Sequence, residues 1–312
     1  MRTLVLGAEG FVGGHLVRHL IAEGDEVHCG VHGTHASAFE RSVSIDITEY
    51  ESVRASIERI RPDIVYHLAG ISFVPEAEES FDKVLRVNVA GTANVARACH
   101  VLNSGVSLVF VSSAEVYGAI APSDLPITEE TPVRPANNYS LSKQMGELVV
   151  ERYLRMGAMK AAIARPFNHI GPGQDRRFVT ASFALQLARI AHRKAAPVMQ
   201  VGNLEARRDF SDVRDIVRGY RLLGSSKGGI FNLGSGRALS IQRILDLLIK
   251  ASGVEVTIQQ DPQRMRGPEI PEVYGSGQKI QRECGWFPTV PVERSLEDVY
   301  RYWHDRVASG LE

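Results

Sequence analysis

The chain has 312 residues, with 36 Lys and Arg balancing 36 Asp and Glu for a formal charge of zero. That balance gives no footing for nucleic-acid or anionic-membrane binding, which show as a basic excess. The 44% hydrophobic content is that of a globular protein long enough for one large or two closely joined domains.

From the N-terminus, a strand is predicted over Thr3–Leu6. Gly7, Glu9 and Gly10 interrupt the apolar run behind it, so it reads neither as a signal peptide nor as a membrane span. The three cysteines, Cys29, Cys99 and Cys284, are widely spaced and form no metal-ligand or disulfide pattern, so no metal is expected. They suit reduced thiols in a soluble, cytoplasmic protein. Further strands are predicted at Glu26–Gly30, Ile64–Leu68, Ser107–Ser112 and Ala161–Arg165. Helices are predicted at Phe11–Glu23, Tyr50–Ile60, Phe81–Leu102 and Tyr139–Met156. This alternation predicts an α/β fold of Rossmann type, a doubly wound parallel sheet with its ligand crevice at the carboxyl ends of the strands.

Gly7-Ala8-Glu9-Gly10-Phe11-Val12-Gly13 joins the first strand to the first helix. Glycines there allow a tight bend, backbone approach to a pyrophosphate and close helix–strand packing, while the helix start at Phe11 and Val12 offers free N–H groups. These residues are candidate dinucleotide ligands. An acidic residue closing the second strand would select NAD, but the chain reads His28-Cys29-Gly30-Val31-His32-Gly33, which leans to NADP(H) over NAD(H). Arg41 is the nearest arginine. Asp46-Ile47 is placed for the adenine edge or, equally, for a helix N-terminal cap.

Leu68, Ala69 and Gly70 close the third strand against the crevice, and Asn88 lies in the following helix. Val111-Ser112-Ser113-Ala114-Glu115-Val116-Tyr117-Gly118 ends the fourth strand. Tyr139 and Lys143 then stand four residues apart at a helix start, on one face and one turn apart. An ammonium beside a phenol is expected to favour the phenolate and ease proton exchange with a substrate oxygen. After about residue 166, Pro166, Gly171, Pro172 and Gly173 punctuate a loop, and a Pro-rich stretch runs from Asp261 to Pro271. The expected division is a dinucleotide-binding domain over 1–166 and a smaller α+β substrate lobe over 167–312. Segments such as Gly229–Leu233 are expected to return to the sheet.

The glycine loop, HLAG, VSSAEVYG, YSLSK and Arg165–Gln174 (RPFNHIGPGQ) occur in this order over nearly the whole length, and together the chain resembles the extended short-chain dehydrogenase/reductase family of nucleotide-sugar enzymes. The resemblance implies that Tyr139 is the acid/base at the sugar oxygen. Lys143 would lower the pKa of that phenol and hold the nicotinamide ribose, and Ser113 would bond the same sugar oxygen. It also implies a nicotinamide lying along Pro166 and Phe167. The second half looks most like the GDP-sugar branch of reductases acting on 4-keto-6-deoxy sugars, as in GDP-rhamnose synthesis. There Asn168, Val179, Asn203, Arg208 and Arg266 would bind the nucleotide diphosphate sugar, and Glu269 its ribose hydroxyls. Arg207 reads equally as a solvated charge. A homodimer through a four-helix bundle of Phe81–Leu102 and Tyr139–Met156 is the family expectation.

Glu115 keeps other reactions open. In the resembling GDP-mannose 4,6-dehydratases a glutamate at this place removes a C5 proton, whereas many 4-epimerases carry it without dehydrating. A cofactor-binding sensor without turnover is the more distant alternative, since such relatives usually lose the Tyr or the Lys.

Overall fold

The computed structural model describes residues 1–33, 39–102, 105–157, 159–265 and 270–312. Its first half runs β1 (Arg2–Leu6), α1 (Phe11–Ala22), β2 (Glu26–Val31), β3 (Ser42–Ser44), α2 (Tyr50–Ile60) and β4 (Ile64–His67). Next come α3 (Val74–Glu79), α4 (Phe81–Val84), a π-helical turn over Leu85–Ala90, α5 (Gly91–Val101), β5 (Ser107–Val111), α6 (Asn138–Arg155) and β6 (Lys160–Pro166). The second half contains β7 (Asn168–Ile170), α7 (Val179–Ala191), β8 (Val198–Val201), β9 (Arg207–Arg208), β10 (Phe210–Asp212), α8 (Val213–Gly224) and β11 (Gly229–Leu233). It closes with β12 (Leu239–Ser240), α9 (Ile241–Ser252), β13 (Thr257–Gln260), β14 (Glu272–Val273), α10 (Gln278–Cys284) and α11 (Val292–Ala308).

Among the described residues the main sheet has seven strands in the order β11-β6-β5-β4-β1-β2-β3, every neighbouring pair parallel. The Gly229–Leu233 segment does return to this sheet, pairing with β6. Strand order reverses between β1 and β4, and such a switch point opens a crevice beyond the carboxyl ends. Alternation along the central strands sorts their side chains between two cores. Val5, Tyr66 and Val109 pack with α1 and α8, whereas Leu4, Leu6, Val65, Leu108 and Phe110 pack with α2, α5 and α6. A separate apolar core joins α7, α9 and α11 through residues such as Leu187, Leu245 and Leu296.

The single helix expected over Phe81–Leu102 is broken. Its first turn is α4, and the backbone widens into the π-helical turn before resuming as α5. Asn88 sits in that turn, buried, and makes three hydrogen bonds away from its own helix. A π turn inserts an extra residue and re-aims a side chain, as is common at functional sites. Helix α6, by contrast, begins where local chemistry dictates. The Asn137 side chain accepts from the Ser140 amide at 2.8 Å, and the Ser140 hydroxyl accepts from the Asn137 amide at 3.1 Å, a reciprocal cap.

Candidate active site

The crevice begins at the glycine loop. Gly7 has φ of +85°, and its amide donates to the Gly30 carbonyl at 3.1 Å, so the chain turns sharply off β1. A Cβ on Gly13 would lie 2.0 Å from the Gly7 carbonyl oxygen, so only glycine lets α1 pack this closely. Gly10 caps α1 without any side-chain bond, which leaves the first-turn N–H groups of Phe11 and Val12 open to an anion. The loop after β4 lies against this turn: a Cβ on Gly7 would meet the Ala69 amide nitrogen at 2.8 Å. Leu68, Ala69 and Gly70 therefore line the same edge as Gly7, Gly10 and Gly13. This cradle of bare backbone fits a dinucleotide.

Asp46 spends one carboxylate oxygen on the Thr48 amide (2.9 Å) and hydroxyl (2.7 Å), which hold its pKa below the usual range. It thus closes the turn leading into α2, with Ile47 packed under Gly91. Its second oxygen lies 3.8 Å from the exposed His32 ring at the end of β2. Arg41 is not at this end. It pairs with Glu26 at the opening of β2, because the parallel register sets Ser42 beside Cys29.

Tyr139, Ser113, Glu115 and Lys143 converge at the ends of β5 and α6. The buried Tyr139 phenol is hydrogen-bonded to Ser113 and feels the Glu115 carboxylate, and its pKa is pushed up to about 12, chiefly by burial. The expected lowering by Lys143 does not occur here. The ammonium instead donates to the Val111 carbonyl at 2.8 Å, and burial pushes its own pKa down to about 8 against the attraction of Glu147. Ser113 also caps the short 3-10 turn Ala114–Tyr117 by accepting from the Glu115 amide at 3.1 Å. Glu115 itself is exposed at the rim.

Asn88 accepts from the Ile71 amide at 2.8 Å and donates to the Ile71 carbonyl and the Ser142 hydroxyl, both at 3.0 Å. It ties the loop after β4 to α6 and so fixes Lys143 beside Gly70, where an added Cβ would lie 3.7 Å from the ammonium nitrogen. Pro166 ends β6, and the buried Phe167 behind it packs under Gly275.

The residues expected at the substrate come from three segments. Asn168 opens β7 and is exposed, and Val179 starts α7. The Asn203 side chain accepts from the Glu205 amide at 2.9 Å in the turn after β8. Arg208 donates to the Ile270 carbonyl at 2.8 Å, whereas Arg207 pairs with Glu272 at 2.9 Å on the outer edge. Arg266 and Glu269 lie outside the described residues. Sequence reasoning overlooked the cluster just before Val179, in which the Arg177 guanidinium lies over the Phe73 ring at 4.4 Å and Phe73 meets Phe178 edge-on. It also passed over Glu147 and the pairing role of Arg165. A charged residue four positions beyond Lys143, on the buried helical face, was the available signal.

Among the described residues, no helix is long and apolar enough to cross a membrane. Nor is any group of three or more His, Cys, Asp or Glu side chains among them placed to hold a metal ion.

The profile of the GDP-mannose 4,6 dehydratase family matches residues 4–299. GDP-6-deoxy-D-mannose reductase from Pseudomonas aeruginosa is 36% identical over 98% of both chains. GDP-6-deoxy-D-talose 4-dehydrogenase from Aggregatibacter actinomycetemcomitans is 30% identical over 96% of this chain and 97% of its own. The solved structure of RMD from Pseudomonas aeruginosa complexed with NADPH superposes with a TM-score of 0.88 at 34% identity, covering 98% of this chain and 99% of that one.

Proposed function

The chain belongs to the GDP-mannose 4,6-dehydratase family of extended short-chain dehydrogenase/reductases, and from that premise we propose that it reduces the C4 keto group of a GDP-4-keto-6-deoxy-hexose with NADPH. The observation that carries the direction of reaction is the 36% identity, over 98% of both chains, to a GDP-6-deoxy-D-mannose reductase. A keto group becoming an alcohol needs a proton on its oxygen, and Tyr139, held near 12, enters the cycle as an acid. Bound NADPH contributes the hydride. Ser113 shares the substrate oxygen with Tyr139 and orients it. Lys143, charged below about pH 8, holds the ribose side of the cofactor cradle. Pro166 and Phe167 form the shelf beneath the ring.

NADPH rather than NADH is supported by the end of β2, which carries His32 and no acidic residue of its own, although the Asp46 carboxylate lies 3.8 Å from that ring. The NADPH complex of the Pseudomonas aeruginosa structure supports the same choice. GDP as the nucleotide is supported by the GDP-sugar relatives, with Asn168, Val179, Asn203, Arg208, Arg266 and Glu269 as its ligands. A homodimer is supported by Leu141, Met145 and Leu148, exposed at i, i+4 and i+7 on α6. A cytoplasmic setting is supported by the three free thiols.

Dehydration is the second reading, because the Glu115 carboxylate acts on the catalytic phenol. Purified protein given NADPH and GDP-4-keto-6-deoxymannose should consume the two in equal amounts. Conversion of GDP-mannose to a keto sugar without net NADPH loss would establish dehydration instead, and NADPH binding with no turnover of either sugar would leave a sensor.

A further inference from the structure

Glu147 takes no part in the chemistry above, yet it lies one turn beyond Lys143 on α6 and is only 3% exposed. One of its oxygens accepts from the Ser112 hydroxyl at 2.5 Å and from Arg165 Nε at 2.9 Å, and the other from Arg165 Nη2 at 2.6 Å. Arg165 donates in turn to the Tyr117 hydroxyl at 2.9 Å, which donates to Asn232 at 2.8 Å. Ser112 immediately precedes Ser113, and Arg165 immediately precedes Pro166. One carboxylate thus ties α6 to the ends of both β5 and β6, the three elements that bear the catalytic hydroxyl, the Tyr–Lys pair and the nicotinamide shelf. A buried ion pair often stabilises a fold no better than apolar residues of equal volume. Its placement here points to a task at the site.

Glu147, one turn along α6, is the carboxylate whose charge acts on Lys143 against the effect of burial. The buried ammonium of Lys143 donates to the Val111 carbonyl and lies 5.4 Å from the Phe110 ring centre. From α6 the neutral Tyr139 phenol faces it. From β4 comes His67, which burial holds neutral at a pKa of about 3, and from the π-helical turn comes the Asn88 amide across Gly70. Glu147 supplies the negative charge, and Arg165 approaches that carboxylate from β6.

We propose that Glu147 is a positioning residue: clamped by Arg165 and Ser112, its carboxylate keeps the Lys143 ammonium charged and aimed into the cofactor cradle, while the clamp holds Ser113 and Pro166 in register with it. The proposal rests on the cofactor half of the functional reading and is independent of the sugar. It is tested by the NADPH dissociation constant, followed by fluorescence from neutral to alkaline pH.

With Glu147→Gln, the pH above which affinity falls should move down by about one unit, because the cation loses its counter-charge. Glu147→Asp should restore most of the native position. The amide of Glu147→Gln leaves Arg165 unpaired in the interior, so Glu147→Gln/Arg165→Met is measured beside it and should show a smaller downward movement, because losing the Arg165 cation offsets part of the lost attraction. An alkaline limb at the native position in folded Glu147→Gln, with only lower thermal stability, would overturn the proposal and leave Glu147 a structural residue. Failure of the sugar assay with a normal NADPH profile would fault the substrate assignment instead.

Discussion

Phe11, the first residue of α1, stacks on His169 of β7 with ring centroids 6.2 Å apart and planes 8° apart. His15, one turn along α1, meets Phe11 edge-on and bonds the Pro172 carbonyl at 2.8 Å. Burial lowers the pKa of both histidines, so the contact is one between neutral rings at neutral pH. The helix whose N-terminus would carry the pyrophosphate is thereby joined to β7, the strand that bears Asn168. An aromatic pair of this kind contributes roughly 0.5–1.5 kcal/mol. Phe11→Ala is expected to raise the NADPH dissociation constant and the sugar KM together, each by about two- to tenfold. A change confined to NADPH would show that the two sites are not joined through this stack.

Tyr139 and Lys143 are expected to set the pH profile. Turnover in the reductive direction needs the phenol protonated and the ammonium charged. With the phenol near 12 and the amine near 8, kcat/KM should be level through neutral pH and fall above about 8 as Lys143 loses its proton. Tyr139→Phe should lower kcat by about 10²- to 10⁴-fold, the usual value of a general acid. NADPH affinity should be nearly unchanged, as titration of cofactor fluorescence would reveal.

The same lysine weakens the fold. Its pKa is lowered from 10.5 to about 8, so the charged form is disfavoured in the native state. That penalty, on the order of 3 kcal/mol, is fully present below about pH 8 and is relieved as pH rises from 8 towards 10.5. Lys143→Met should therefore melt at a higher temperature than the native protein at neutral pH. The advantage should shrink in melts run at progressively alkaline pH. An advantage that stays constant with pH would mean that packing, not charge, is responsible.

Gly13 and Gly14 form a matched pair. A methyl group on Gly13 would press into the Gly7 carbonyl at 2.0 Å, whereas on Gly14 its nearest neighbour is the flexible end of Arg18 at 3.6 Å. Gly13→Ala should cost about 1–3 kcal/mol in denaturant titrations and weaken NADPH binding. Gly14→Ala should be neutral, or stabilising by up to about 1 kcal/mol through helix propensity.

Leu148, 55% exposed on α6, is central to the apolar stripe with Leu141 and Met145. If that stripe meets a second copy, Leu148→Glu buries a charge at the contact and should shift sedimentation from dimer to monomer. The variant should still bind NADPH, because Leu148 lies on the exposed face of α6 while Tyr139 and Lys143 are buried.

What the residues alone could tell was local. Short apolar runs and amphipathic stretches placed β1, α1, β4 and β5 within a residue or two, because each pattern is written in consecutive residues. Glycines at 7, 10 and 13, and a phenol and amine four apart, are likewise short-range signals, so the cofactor turn and the Tyr139–Lys143 face could be read directly. The break in Phe81–Leu102 could not, since a π turn answers to what Asn88 reaches, and Ile71 and Ser142 lie 17 and 54 residues away.

Residue order, through the motifs that carry the family resemblance, pointed to the groups proposed for redox chemistry on a sugar and to the strand-to-helix turns that carry them. Their protonation was left to the packing of the folded chain. Burial keeps the Tyr139 phenol protonated, and burial at Lys143 is only partly opposed by Glu147, which is itself held by Arg165 from another strand. Desolvation and pairing depend on which distant segments close over a group, and spacing along the chain does not encode that.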